Sequence, residues 1–144
     1  MRIVLDTTVL VRAFTSPGGP ASALLLDLIA GPHTLLLSNA ILHEVSRVLR
    51  YPRLQASHGA TETSVYEYAA YLSAACEAVP LDQLMTVPIR DVNDIAVVCT
   101  AVIGRADIIC TNDSDFYDEV MTNFLRPRQI LVMDDVDLIR RLRA

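Results

Sequence analysis

Acidic residues in four separated segments are the side chains of this sequence best placed to do chemistry. Asp6 ends the short apolar run Arg2 to Leu5, and Glu44 lies in a stretch of helical periodicity. Asp94 closes the polar run Asp91-Val92-Asn93-Asp94, while Asp113 and Asp115 fall in Thr111-Asn112-Asp113-Ser114-Asp115 after apolar Ala106 to Cys110. Carboxylates gathered at one place repel one another, so their convergence implies a cation between them. Oxygen ligation without paired His or Cys favours a hard ion, Mg²⁺ or Mn²⁺, which keeps several waters and bridges to phosphate oxygens. The reaction that suits such a centre is phosphodiester cleavage, in which the ion activates water and neutralises charge growing on the phosphoryl group.

Whether these acids can meet depends on the elements that carry them. Arg2 to Leu5 reads as a buried strand, Ala21 to Ala30 as a helix stopped by Gly31-Pro32, and Thr34 to Leu37 as a second strand. Asn39 to Arg50 repeats Ile41, Leu42, Val45, Val48 and Leu49 on one helical face, which leaves Glu44 at the rim and His43 nearly opposite. A longer helix is predicted over Thr61 to Val79, with Thr61 and Ser64 as possible caps, followed by an extended stretch from Pro80 to Pro88. Asp91 to Asp94 then opens a very apolar helix running from Ile95 to about Ile103 and ended by Gly104. Ala106 to Cys110 and Gln129 to Met133 resemble further strands, and Asp134 to Arg143 a last helix with its acids first and its arginines last.

Alternating strands and helices predict a three-layer α/β/α sandwich, with a mainly parallel sheet and right-handed crossovers. In such sheets ligands bind beyond the carboxyl ends of the strands. Asp6 and the Asp113/Asp115 pair stand at that end of two strands, with Asp94 and Glu44 brought in by helices. At 144 residues the chain is sized for one domain. Its 52% hydrophobic residues suffice for a packed core. Cys76, Cys99 and Cys110 are odd in number and lack metal or redox spacing, so they are expected as reduced core residues. The first apolar run is too short for a signal peptide and no run reaches a membrane span, which predicts a soluble, cytoplasmic protein.

Each acid also has a purely structural reading. Asp6 could cap Val9 or Leu10 locally, and Asp94 could simply favour the first turn of its helix. Asp91 and Asn93 are better placed as helix caps than as ligands. Of Asp113 and Asp115, one can cap while the other ligates, with Asp113 the stronger ligand candidate. The net charge of −5 counts against a nucleic-acid partner, although the ion itself supplies part of the missing positive charge. All basic residues besides the histidines are Arg. Arg12, Arg47, Arg50, Arg53 and Arg90 suit either phosphates or the surplus acids. Tyr68 is expected in the core, with Tyr66 and Tyr71 at the rim.

The motifs together resemble a known family. Leu5-Asp6-Thr7-Thr8-Val9-Leu10, Glu44, Arg90-Asp91-x-x-Asp94 and Thr111-Asn112-Asp113-Ser114-Asp115-Phe116 look like the successive motifs of PIN domains, in order and across nearly the whole chain. The size further resembles the VapC-like toxins of bacterial toxin–antitoxin pairs. The resemblance implies a parallel-sheet endoribonuclease acting on single-stranded RNA with Mg²⁺ or Mn²⁺. It maps the catalytic acids onto Asp6, Glu44, Asp94 and Asp113, adds Asp115 to Asp6, Asp94 and Asp113 as metal ligands, and assigns supporting roles to the hydroxyls of Thr8 and Thr111. It also implies a small antitoxin that blocks the acidic cleft, and a homodimer. Thr8 stands where many members carry Ser or Asn, and Asn112 where many carry Gly; neither change removes a carboxylate.

Two other functional classes compete. A catalytically silent PIN-like module would use the same acids only for solubility or assembly with a partner protein. An aspartyl-phosphate enzyme would need a second Asp two residues after Asp6 and a downstream Lys, but Thr8 occupies the first position and the chain has no Lys.

Overall fold

Four of the apolar runs fold as strands ending at a polar residue: β1 (Arg2–Leu5), β2 (Thr34–Leu37), β4 (Ile108–Cys110) and β5 (Leu131–Met133), with a fifth short strand, β3 (Glu77–Ala78), between the second and third of these in sequence. The computed structural model describes residues 1–82 and 85–144. Every pairing is parallel and the order is β3-β2-β1-β4-β5, so β1 and β4 are central and neighbouring. Ile3, Val4, Ile108 and Ile109 are essentially fully buried, as expected for parallel strands covered on both faces. Helices flank this sheet to give the predicted α/β sandwich: α1 (Thr7–Thr15), α2 (Pro20–Ala30), α3 (Asn39–Leu49), α4 (Pro52–His58), α5 (Glu62–Ala75), α6 (Val92–Ile103), α7 (Glu119–Leu125) and α8 (Asp135–Arg143).

Helix α3 packs against α1, α5 and α6, and its buried Ile41, Val45 and Leu49 form the predicted stripe. Glu44 sits beside that stripe, while His43 faces solvent. Thr61 and Ser64 form a reciprocal cap on α5, each backbone N–H donating to the other's hydroxyl at 2.8 and 3.0 Å. Tyr68 packs against Phe14 and donates to the Leu10 carbonyl at 2.7 Å, whereas Tyr66 and Tyr71 are exposed. Cys99 and Cys110 are buried, Cys76 is half-buried, and all three are free thiols.

Three elements depart from the sequence reading. Thr7–Thr15 is helical despite its β-branched Thr7, Thr8, Val9 and Val11, because burying Val9, Leu10 and Ala13 outweighs weak intrinsic preference. Pro52 and Gly59 bracket an additional short helix, α4, with Pro at its start and Gly59 in the left-handed region at its end. The helix predicted to reach Val79 stops at Ala75 instead. There the chain joins the sheet edge: the Val79 N–H donates to the Leu37 carbonyl at 2.9 Å, and Glu77 pairs with the Arg2 guanidinium. Of the extended stretch expected from Pro80 to Pro88, residues 83 and 84 lie outside the described residues. Among the described residues, no helix is long and apolar enough to cross a membrane.

Candidate metal centre and active-site cleft

The register between the two central strands creates the site. Leu5 lies opposite Cys110, so Asp6 and Thr111 leave adjacent strands side by side, and the Asp6 N–H donates to the Cys110 carbonyl at 2.9 Å. Asp6 occupies the cap position of α1, yet its carboxylate makes no capping bond. It accepts instead from the hydroxyls of Thr111 at 2.7 Å and Thr8 at 3.3 Å. Thr111, fully buried, also accepts the Asp113 N–H at 3.0 Å. One hydroxyl thereby fixes two of the acids. Tyr117 steadies the same turn by donating its phenol to the Thr111 carbonyl at 2.6 Å.

Asp94 enters from the first turn of α6, whose cap is Asp91, accepting from the Asn93 N–H at 2.8 Å. The cap reading of Asp91 is thus correct, while the Asn93 side chain makes no cap bond. Asp94 is only 8% exposed, and its carboxyl is pushed up to about 7, first by burial and then by repulsion from Asp6, Asp113, Asp91 and Asp115. The helix N-terminus would favour its charged form, but desolvation and like charge prevail. Burial likewise raises the Asp6 carboxyl, against the hydrogen bonds from Thr111, the Thr7 backbone and Thr8, with Asp113 adding repulsion.

Asp113 and Asp115 flank the short 3₁₀ turn Ser114–Phe116, and the Asp113 carboxylate caps it by accepting the Asp115 N–H at 2.9 Å. Capping does not remove Asp113 from the acids. One oxygen from each of Asp94, Asp113 and Asp115 lies within 4.8 Å of the others. Three hard oxygens, one on a carboxylate whose charge is strongly opposed, form a donor set that fits Mg²⁺ or Mn²⁺. Asp6 stands outside this closest group but in the same cleft, of about 420 Å³, which Thr8, Glu44, Asp94 and Asp113 also line. Asp115 is exposed and lies outside the cleft's lining. A larger cavity of about 530 Å³ lies beside β5, but none of the predicted acids lines it.

Glu44 differs from the aspartates. It is buried and lines the cleft, but both its oxygens accept from Arg47, at 2.9 and 2.6 Å, and the Arg47 guanidinium also lies over the Tyr51 ring. Its charge is therefore matched locally, and this pairing holds the Arg47 pKa above its ordinary value. The i,i+3 spacing of Glu44 and Arg47 is the signal that reveals this pair in sequence. Nothing in the sequence signals the Tyr117 contact, or the one between Arg12 and buried Asp135, whose Nη1 and carboxylate are 3.3 Å apart. The first closes a turn over six residues and the second joins the first helix to the last, and neither spacing is a sequence pattern.

Residues 2–115 match the family model described as the PIN domain. Comparison with curated proteins gives no match. Among solved structures, the chain is similar to one in the crystal structure of VapBC2 from Rickettsia felis bound to a DNA fragment from their promoter. The TM-score is 0.61 at 17% identity, over 92% of this chain and 98% of that one, so what the two share is the fold. With the family model spanning most of the sequence and the acids meeting at the carboxyl ends of β1 and β4, the chain belongs to the PIN-domain family.

Proposed function

We propose that this protein is a Mg²⁺- or Mn²⁺-dependent endoribonuclease that hydrolyses phosphodiester bonds of single-stranded RNA, and that residues 1–144 act as one PIN-like unit. The observation that carries this reading is the set of aspartates drawn from two strand ends and one helix start, with Asp94 and Asp6 so buried and so close to other acids that both carboxyls are raised. A divalent ion bound there supplies Lewis acidity and counter-charge for phosphoryl chemistry. Asp94, Asp113 and Asp115 would hold it, with Asp6 completing the set from the cleft floor. Thr111 keeps the Asp6 carboxylate turned toward the cleft, and Thr8 adds a second donor to the same oxygen. Glu44, held by Arg47, borders the place where an attacking water must be positioned, and orients it.

The likeness to a VapBC2 chain supports reading this protein as the toxin of a toxin–antitoxin pair. Its partner would be a small antitoxin that covers the acidic cleft with an inserted Arg. We extend the proposal to a cytoplasmic location and a homodimer.

The test is cleavage of a labelled single-stranded RNA with Mg²⁺ or Mn²⁺ present. Chelation should stop it, and Asp6→Asn should lower the rate to background while leaving the folded-state spectrum intact. An Asp6→Asn protein that cut RNA at the parental rate would remove the assignment. The alternative of a silent binding module draws on the Glu44–Arg47 pair, which offsets the charge of one family acid within the protein. Calorimetry showing no Mg²⁺ or Mn²⁺ uptake at millimolar ion would select it.

A further inference from the structure

The structure divides the chain's arginines by what they hold. Arg47 is spent on Glu44, Arg50 on Glu62, Arg140 on Asp137 and Arg143 on Asp27. Two arginines line the acidic cleft itself, Arg12 from α1 and Arg53 from α4. Arg53 is exposed and forms no ion pair among the described residues. Arg12 is paired with buried Asp135 through Nη1, while its Nη2 is buried with no acceptor among the described residues. A buried guanidinium nitrogen without an acceptor is costly, but the Arg12 side chain as a whole is 40% exposed and lines the cleft, where it can meet a ligand oxygen. The same cleft is also lined by the apolar Val11, Val48 and Leu54.

We infer that Arg12 and Arg53 hold the phosphate of the nucleotide next to the scissile bond, with its base or sugar against Val11, Val48 and Leu54. The cleft then has two chemically distinct ends. The aspartates take the reacting phosphate through a cation, and the arginines take its neighbour directly by charge-assisted hydrogen bonds. This assignment rests on the nuclease reading and adds to it the class of ligand at the second end: a phosphodiester of a single strand. It also accounts for how a chain of net charge −5 engages a polyanion, since two arginines line the same cleft as the acids.

The assay is fluorescence anisotropy of a labelled single-stranded RNA of mixed sequence, on the Asp6→Asn background with Mg²⁺ present and across a salt series. Arg53→Ala should weaken binding about tenfold and flatten the plot of log affinity against log salt by about 0.7 for each phosphate no longer neutralised. Arg12→Ala should do the same, and Arg12→Lys should retain part of both effects. Arg143→Ala, at the far end of the last helix, should leave the salt slope at the value of the Asp6→Asn background. If Arg12 merely anchors Asp135, Arg12→Ala lowers the melting temperature with an unaltered slope, and the inference fails. It also fails if Arg53→Ala binds with the background's slope while the parental chain cuts RNA, an outcome that leaves the nuclease reading standing. A parental chain that neither binds nor cuts RNA with either ion overturns both.

Discussion

The two ends of the central strands contrast sharply. At the amino end of β1 and β4, the polar groups bond one another: Asp107 accepts the Arg2 N–H at 2.7 Å, the Arg2 Nε donates to the Gly104 carbonyl at 3.0 Å, and the same guanidinium pairs with Glu77. At the carboxyl end, a few residues along the same strands, Asp6, Asp94 and Asp113 face one another with no ion pair among the described residues. The two ends also differ in burial, since Glu77 and Asp107 are exposed whereas Asp6, Asp94 and Thr111 are buried. Buried acids that repel one another at one end, against exposed polar groups bonded within the protein at the other, separate an edge that holds the fold from one suited to a ligand.

Exchanging one acid at each end should break the symmetry most visibly. Asp94→Asn removes a carboxylate that burial and its neighbours oppose, so cleavage should fall by about 10²-fold or more while the metal-free protein melts at a higher temperature. Asp107→Ala should do the reverse: cleavage stays at the parental rate, and stability falls by about 0.5–1.5 kcal/mol as the Arg2 N–H loses its acceptor. Rate assays and thermal melts on both variants decide the matter. An Asp94→Asn protein less stable than the parent would show that this carboxylate supports the fold.

Thr111→Val probes how the carboxyl end is organised rather than how it is charged. The change keeps the shape of a fully buried side chain but removes the hydroxyl that donates to Asp6 and accepts from the Asp113 backbone. Losing a group that orients ligands typically costs 10–100-fold in metal affinity or activity. We expect a loss of about that size in Mn²⁺ affinity by calorimetry, and it should exceed the loss in Thr8→Val, whose bond to Asp6 is the longer one at 3.3 Å. Equal effects would mean that Thr111 has no special role in aiming Asp6.

Packing at the buffered end gives a smaller but cleaner effect. Gly104 ends α6, where an added Cβ would meet the Thr100 carbonyl at 2.8 Å, Leu36 Cδ1 at 2.9 Å and Val79 Cγ2 at 3.0 Å. The first of these is backbone and cannot yield cheaply. Gly104→Ala should therefore destabilise by about 1–3 kcal/mol, as overpacking does, without changing the cleavage rate at temperatures where the variant is folded. Denaturant titration with a rate assay on the same sample separates the two quantities.

Much of the fold that sets up this contrast is legible in the sequence. Apolar runs stopping at Asp6 and at Thr111 located β1 and β4, and the stripe Ile41, Val45 and Leu49 placed Glu44 at a rim, because burial imposes a period on sequence. The capping of α6 by Asp91 was legible for the same local reason. The helix Thr7–Thr15 was not, since its residues individually disfavour helix and only packing selects it. Nor was β3, two exposed residues recruited by the open edge of β2. In the site, the identity of the acids could be read but not their division. That Glu44 is matched by Arg47 while Asp94 is opposed by four other acids depends on distances that spacing does not carry.

The smallest expected effect concerns pH, and it tests the comparison in the metal-free protein. The Asp94 carboxyl stands at about 7 in the folded chain against 3.8 as its ordinary value, so between those values the folded state holds more protons than the unfolded one. Stability therefore falls as pH rises through that window, and the raised Asp6 carboxyl contributes with the same sign. The chelated protein should melt a few degrees higher at pH 5.5 than at pH 8, where about 2–4 °C corresponds to each kcal/mol for a chain of this size. Millimolar Mg²⁺ should raise the melting temperature more at pH 8 than at pH 5.5, because protons compete with the ion for the same carboxylates. In Asp94→Asn most of this pH dependence should vanish, whereas in Asp107→Ala it should persist. A chelated parental protein that melts higher at pH 8 would mean that the carboxyl end is as well buffered as the amino end, and the proposed distinction between them would not stand.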